Sequence, residues 1–242
     1  MMFQCLYVGL DDTDTLETPG TNKLALHLCK ELVPWLDAKL VTRHQLLEDP
    51  RVPCTNKNGC AAIKFEITGP ISNEELISRL SNIITDWCPV GSDPGLCVAD
   101  EASAEELVGF GQNCQRQLLT QSDAHQRAAE AGCVLRGLGG TNDGVIGALA
   151  AVGLQHGGND GRVIYAGRSF GDLCDLTGIW SVGQLRARGI SSVVQLDSGF
   201  AINDGTIELG KRLRANYRSQ RLVLYVEKSD SGLADWAAVR VT

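Results

Sequence analysis

Apolar residues dominate positions 3–10, and the run reads as a buried strand. From 21 to 36 the spacing changes, and Leu24, Ala25, Leu28, Leu32, Trp35 and Leu36 fall on one face of an amphipathic helix. A second strand is predicted over 38–43. Ile63, Phe65 and Ile67 then alternate with Lys64, Glu66 and Thr68, the pattern of a half-exposed strand in an antiparallel sheet. Ser72 with Glu75 forms a capping box ahead of a helix that would turn Leu76, Leu80, Ile83 and Trp87 inward. After a short strand at 96–99, Ser103 and Glu106 repeat that pattern before a helix bearing Leu107, Phe110, Cys114 and Leu118. A helix over 122–131 closes at Gly132, and a strand over 133–136 leads into a glycine-rich turn at 137–144. The helix predicted at 145–154 is built of small residues and suits backbone-close packing.

The stretch His156-Gly157-Gly158-Asn159-Asp160-Gly161 is the best linker candidate. Beyond it, strands are predicted at 162–166, 192–196 and 222–227, with short helices at 181–188 and 208–216. The order predicts an α/β (α+β) chain, with a mixed-sheet domain over 1–156 and a smaller α+β domain over 157–242.

Composition narrows the class without fixing it. The 242 residues are 43% hydrophobic and 21% charged, as in soluble globular proteins. The amino end has no basic flank, and the weakly polar run at 145–154 is too short to span a bilayer. A cytoplasmic protein without a membrane partner is expected. The nine cysteines contain no Cys-x-x-Cys, so no zinc ribbon is encoded, and reduced thiols are expected, with Cys54 and Cys60 the one conceivable redox pair. A net charge of −7 opposes indiscriminate binding to nucleic acid. Lys211, Arg212, Arg214, Arg218 and Arg221 nevertheless lie together without an intervening acid, either a solvated face or a patch that meets phosphate.

The chemistry concentrates in turns. Asp11, Asp12 and Asp14 close the first strand, and three neighbouring carboxylates repel unless a cation joins them. Mg²⁺ takes one or two carboxylates and completes its shell with water and phosphate oxygens. Asp-rich turns also arise from capping, so both readings stand here. Thr21 is either a plain N-cap or a hydroxyl beside a phosphate at a helix N-terminus. Arg43 and Lys57 could neutralise a polyphosphate, with Asn58-Gly59 forming a tight turn between them and the next strand, or the loop could be ordinary solvated chain. Gly139, Gly140 and Gly144 would let backbone amides approach phosphates, although the turn has neither Walker A nor Rossmann spacing. His44 sits among polar turn residues, and His27 is assigned a structural place on its helix. No Ser-His-Asp or Cys-His nucleophile is proposed by the sequence.

Four segments in order carry a resemblance. The run Gly9-Leu10-Asp11-Asp12-Thr13-Asp14 with Thr21, the loop from Pro50 through Pro53 to Asn58-Gly59, the turn Ser92-Asp93-Pro94-Gly95 and the segment 144–153 are similar to the archaeal agmatinylcytidine synthetase family, which modifies an isoleucine tRNA. The likeness spans 3–156 and, more diffusely, the ferredoxin-like domain that follows. It implies a kinase-like nucleotide-binding domain, ATP and Mg²⁺, and phosphoryl transfer to a tRNA cytidine oxygen that agmatine then displaces. By position, Asp11, Asp12 and Asp14 would hold the metal, and Thr21 matches a threonine that becomes phosphorylated. Asp12, Thr21 and Lys57 would act in catalysis. Thr21, Arg43, Lys57, Asn58, Gly59, Gly139, Gly140 and Gly144 would line the nucleotide. The chain departs from the family at Gly20, where a cysteine stands, and in the loop Cys54-Thr55-Asn56-Lys57. Its sequence stops at Thr242 ahead of the family's OB-fold and zinc ribbon, so weak binding of whole tRNA is expected. The leading expectation is an ATP- and Mg²⁺-dependent phosphotransferase acting on a small molecule or nucleotide. The alternatives are a tRNA cytidine-modifying synthetase working with a partner, and a non-catalytic nucleotide-binding regulatory module.

Overall fold

The structure, a computed structural model, describes residues 5–52, 54, 57–167 and 176–241. The predicted strand start at Phe3 and the loop residues Pro53, Thr55 and Asn56 lie outside the described residues. The chain divides into two units, Met1–Gly157 and Gly158–Thr242.

In the first unit, β1 (Cys5–Asp11), β2 (Leu36–Gln45), β3 (Gly59–Ile67), β4 (Gly95–Asp100) and β5 (Val134–Gly137) form a sheet of order β5-β4-β1-β3-β2. Every pair in it is antiparallel. Side chains alternate across such a strand, so Tyr7 and Gly9 face one side while Leu6, Val8 and Leu10 face the other. Helix α1 (Thr21–Glu31) packs on β1, β2 and β3 and meets α2 (Asn73–Trp87). The other face carries α3 (Glu101–Glu106), α4 (Val108–Cys114), α5 (Gln121–Ala131) and α6 (Gly144–Gly157), sharing a core with Tyr7, Ala62, Cys97 and Ala99.

Small residues allow α6 to lie against the sheet almost backbone to backbone. A Cβ at Gly9 would overlap the Ala148 carbonyl, and one at Gly95 would overlap the Gly144 carbonyl. Near the far end of α6 the buried Gln155 amide donates to Thr42 Oγ1 and to the Ala62 carbonyl, both at 2.9 Å. Thr42 Oγ1 in turn lies 2.7 Å from His44 Nε2. His44 is therefore fully buried within β2, not a turn residue as expected.

Several local expectations are corrected. The first helix stops at Glu31, because β2 begins at Leu36 and takes Leu36 into the sheet opposite Ile67. Ile84, not Ile83, is buried on α2. Ser103 is not a cap: Asp100 caps α3 by accepting from the Ser103 amide at 2.8 Å. Helix α5 is opened by a capping box of Thr120 and Asp123. His27 stacks on Trp87 with ring centroids 4.6 Å apart, a structural contact as expected. Cys54 is exposed and Cys60 buried, and no disulfide joins them.

The second unit contains β6 (Arg162–Tyr165), β7 (Ile179–Ser181), α7 (Val182–Ala187), β8 (Ser192–Gln195), β9 (Ala201–Ile202), β10 (Thr206–Glu208), β11 (Asn216–Arg218), β12 (Arg221–Lys228) and β13 (Trp236–Ala238). Parallel pairing occurs here, between β8 and β12 and between β10 and β13, which makes the strand pairing of the chain mixed. The helix expected at 208–216 does not form. Gly210 takes a φ of +67°, and the Leu209 and Leu213 amides donate to the Gly178 and Leu176 carbonyls instead of to a helical turn. The unit combines α7 with these strands, and its class is α+β. No described helix is long and apolar enough to cross a membrane.

Candidate functional site

The carboxyl end of β1 brings the acids to a corner. Asp11 pairs with Gly95 at the end of the ladder, and the chain then turns at Asp12, whose φ of +51° is unusual for a residue with a side chain. The Asp11 carboxylate lies against α6 where Gly147 leaves room, since a Cβ there would overlap it. Thr13 is fully buried, and its hydroxyl donates to Thr21 Oγ1 at 3.1 Å. Thr21 donates onward to Asp14 Oδ1 at 3.2 Å. Gly20, not Thr21, is the N-cap of α1 and provides no side-chain bond. The Thr21 hydroxyl is thus turned toward the acids instead of capping the helix.

The negative charge of this corner is only partly compensated. Burial, followed by the charge of Asp12, pushes the Asp11 carboxyl up to about 7. Burial, followed by the charges of Asp93, Asp14 and Asp143, pushes Asp12 up to about 6. Asp14 is also raised by burial, with the Thr21 bonds and Arg43 pulling the other way. Arg43 is the cation that acts on both Asp11 and Asp14. One residue beyond Thr21, Asn22 Oδ1 is buried without a hydrogen-bond partner. Among the described residues no three acidic, histidine or cysteine side chains already converge on one point. Mg²⁺ does not require that, because one or two carboxylates suffice when phosphate oxygens complete the shell. The adjacent, mutually repelling carboxylates of Asp11 and Asp12 are of the kind that fits such an ion.

Across from the acids stands the glycine-rich turn. The Asp93 carboxylate accepts from the Thr141 amide at 2.6 Å and the Thr141 hydroxyl at 3.0 Å. The Asp93 carbonyl accepts from the Gly144 amide at 3.1 Å, and its own amide donates to the Asp12 carbonyl at 3.1 Å. The Leu138 amide donates to the Pro94 carbonyl at 2.8 Å. Gly140 has φ +61°, and a Cβ on it would overlap the Asp93 carboxylate, so only glycine fits. The amides of Gly139, Gly140 and Asp143 make no hydrogen bond within the described residues. These amides precede the fourteen-residue helix α6, whose own first amides, on Gly144, Val145 and Ile146, donate to the Asp93, Asn142 and Asp143 carbonyls.

Of the residues singled out from sequence, Asp11, Asp12, Asp14, Thr21, Arg43, Gly139, Gly140 and Gly144 are placed at this corner. The loop before β3 behaves differently. Lys57 Nζ lies 3.5 Å from Glu48 and is 46% exposed. The Asn58 side chain donates to the Leu47 carbonyl at 2.8 Å, tying the loop shut. Gly59 opens β3 opposite Gln45 and does not form a tight turn. A Cβ on Gly59 would overlap the Arg43 guanidinium, so this glycine makes room for that cation. The turns at 92–95 and 137–144 stand out in the sequence, but not the side chains of Asp93, Thr141 and Asp143, which the structure brings to this corner. An Asp and a Thr inside two turns that each flank a strand end were the signal available.

No protein-family model and no curated relative matches the sequence. Solved structures do. The complex of TiaS with its isoleucine tRNA and ATP is 24% identical with a TM-score of 0.56, over 62% of this chain and 36% of that one. The complex of TiaS with tRNA, AMPCPP and agmatine is 24% identical with a TM-score of 0.54, over 62% and 36%. Apo TiaS, a tRNA agmatidine synthetase, is 24% identical with a TM-score of 0.53, over 62% and 35%. The chain shares their fold over that part, and it spans just over a third of the length of those proteins. The resemblance carried by the four sequence segments is thereby met by a likeness of fold.

Proposed function

We propose that the corner between Asp11–Asp14 and the glycine-rich turn binds ATP with Mg²⁺ and transfers a phosphoryl group, as the activating half of a tRNA-modifying synthetase reaction. The observation that carries this reading is the pairing of raised, mutually repelling carboxylates with three open amides, joined through the hydrogen bonds of Asp93. Phosphoryl transfer is mostly positioning and charge neutralisation, and these are the parts present. Asp11 and Asp12, with Asp14 beside them, would hold the cation, which supplies charge neutralisation when bound. The amides of Gly139, Gly140 and Asp143 would take phosphate oxygens. Arg43 would offset the remaining negative charge. Asp14 accepts a hydrogen bond from the Thr21 hydroxyl and would take that proton if Thr21 received a phosphoryl group. Lys57, paired with Glu48, has no part in this reading.

For the acceptor, the fold neighbours solved with tRNA favour RNA over a small molecule. The expectation of weak tRNA binding finds no support in those likenesses. Charge distribution agrees: 158–242 holds eleven Lys and Arg against nine Asp and Glu, while 1–157 holds eleven against twenty. Lys211, Arg212 and Arg221 of the second unit are exposed. RNA binding through them would weaken steeply with salt.

A second reading, a nucleotide-binding module without turnover, draws on one observation. Thr21 is only 7% exposed and its hydroxyl is bonded on both sides, which shields it from an incoming phosphoryl group. Turnover of γ-labelled ATP in the presence and absence of tRNA separates the two. Label transferred to Thr21 or released faster with tRNA supports the synthetase reading. Mg²⁺-dependent ATP binding with no turnover supports the module, and absence of binding rejects both.

A further inference from the structure

One residue spans the two halves of the site. Asp93 lies in the turn ahead of β4, and its polar groups make four hydrogen bonds. Its amide reaches back to the Asp12 carbonyl at 3.1 Å, on the acidic side. Its carbonyl takes the Gly144 amide at 3.1 Å, at the start of α6. Its two carboxylate oxygens take the Thr141 amide at 2.6 Å and the Thr141 hydroxyl at 3.0 Å, inside the glycine-rich turn. Each carboxylate oxygen thus accepts one hydrogen bond from Thr141. The turn it holds is the one whose Gly139, Gly140 and Asp143 amides are open. Gly140 is pressed against the same carboxylate, so the turn cannot shift toward Asp93. The main chain at Asp12 is meanwhile in the left-handed region at φ +51°, a conformation that an external hydrogen bond to its carbonyl helps to hold.

We infer that Asp93 is a positioning residue that fixes the spacing between the cation half and the phosphate half of the site, so that a metal and a polyphosphate bind cooperatively there. The inference rests on the proposed site but makes a separate claim. Binding of the metal alone depends on groups that Asp93 does not supply, while binding of the polyphosphate alone depends on the turn that its carboxylate holds. Binding of both together depends on their separation, and that separation is what the four bonds set. Coupling between two ligands is a free energy, measured as the factor by which one raises the affinity of the other.

The test uses the full chain and three probes: Mn²⁺ alone, inorganic tripolyphosphate alone, and the two together. The metal–polyphosphate complex that forms in solution is common to all variants and cancels in the comparison. Asp93→Ala keeps the two main-chain bonds and removes the two to Thr141, so Mn²⁺ alone is expected to bind within about twofold of the parent and tripolyphosphate alone to weaken about threefold, while affinity for the pair falls about tenfold, more than the two single effects combined. Thr141→Val, which removes only the hydroxyl, lowers the pair affinity in the same direction by a smaller factor, and Thr141→Ser restores it. Because Thr141→Val is conservative, it keeps the test decisive if Asp93→Ala folds poorly. Loss of Mn²⁺ binding alone in Asp93→Ala would make Asp93 a metal ligand and overturn the inference. An equal loss for all three probes, with a lowered unfolding midpoint, would make it a structural residue and also overturn it. Unchanged pair affinity overturns it while leaving the proposed function standing. A parent protein that binds no probe overturns both.

Discussion

Replacing Asp11 by Asn should stabilise the ligand-free protein, and the sign follows from its environment. The carboxyl is raised from 3.8 to about 7 by burial against α6 and by the charge of Asp12. Such a group binds more protons folded than unfolded across that window, so it costs stability progressively as pH rises from 3.8 and costs the full amount above about 7. A tenfold change in proton affinity is worth about 1.4 kcal/mol, which puts the full cost at about 4 kcal/mol as an upper figure. The Asn amide keeps a partly buried polar group and forfeits the attraction of Arg43, so a net gain of about 2 kcal/mol at pH 8 is the working expectation. Urea unfolding followed by circular dichroism, without divalent metal, reads it directly. The gain of Asp11→Asn over the parent should be largest at pH 8 and fall to less than half by pH 5. Added Mn²⁺ should stabilise the parent far more than the variant. A variant less stable than the parent at pH 8, or a gain that ignores pH, would refute the argument that this carboxylate is held in place against its own preference.

Three further outcomes follow from the same geometry. Gly147→Ala places a methyl where the Asp11 carboxylate rests; Mn²⁺ affinity should fall about tenfold while stability changes by less than about 1 kcal/mol, because alanine favours the helix, as titration and thermal unfolding would show. Arg43→Gln removes the cation beside Asp11 and Asp14 and should weaken MgATP about tenfold in equilibrium binding. Gln155→Glu sets a carboxylate against the Ala62 carbonyl in a buried position; in urea unfolding it should cost about 3 kcal/mol at pH 8. Burial raises that new carboxyl, so the loss should shrink as pH falls and the group protonates.

Much of the first unit was legible because its signals are local. The alternation at Ile63, Phe65 and Ile67 marked β3, and Ser72 with Glu75 marked the start of α2. The small residues of 145–154 announced a helix packed close to the sheet, which is what Gly9 and Gly95 accommodate. Misreadings came where tertiary partners decided the outcome. Nothing local separates Ser103 from Asp100 as the cap of α3, since both are good capping residues. The segment 208–216 reads as a helix, but its Leu209 and Leu213 amides pair with the carbonyls of Gly178 and Leu176, residues more than thirty positions away. The acids and the glycine-rich turn could each be found in sequence, yet their adjacency is a product of the sheet order, which sets β1, β4 and β5 side by side. The turn holding Asp93 was legible in sequence, but its bonds to positions 12, 141 and 144 were not, for the same reason. Lys57 was singled out from its charge and from the resemblance, and its ion pair with Glu48 is a contact that the sequence pattern did not announce.

The most direct test of the central claim is a crystal structure of the full chain grown with Mg²⁺ and a non-hydrolysable ATP analogue. The account predicts the metal on Asp11 or Asp12 and the phosphates on the amides of Gly139, Gly140 and Asp143. A triphosphate bound elsewhere, or a corner that stays closed with those amides still open at saturating analogue, would contradict it.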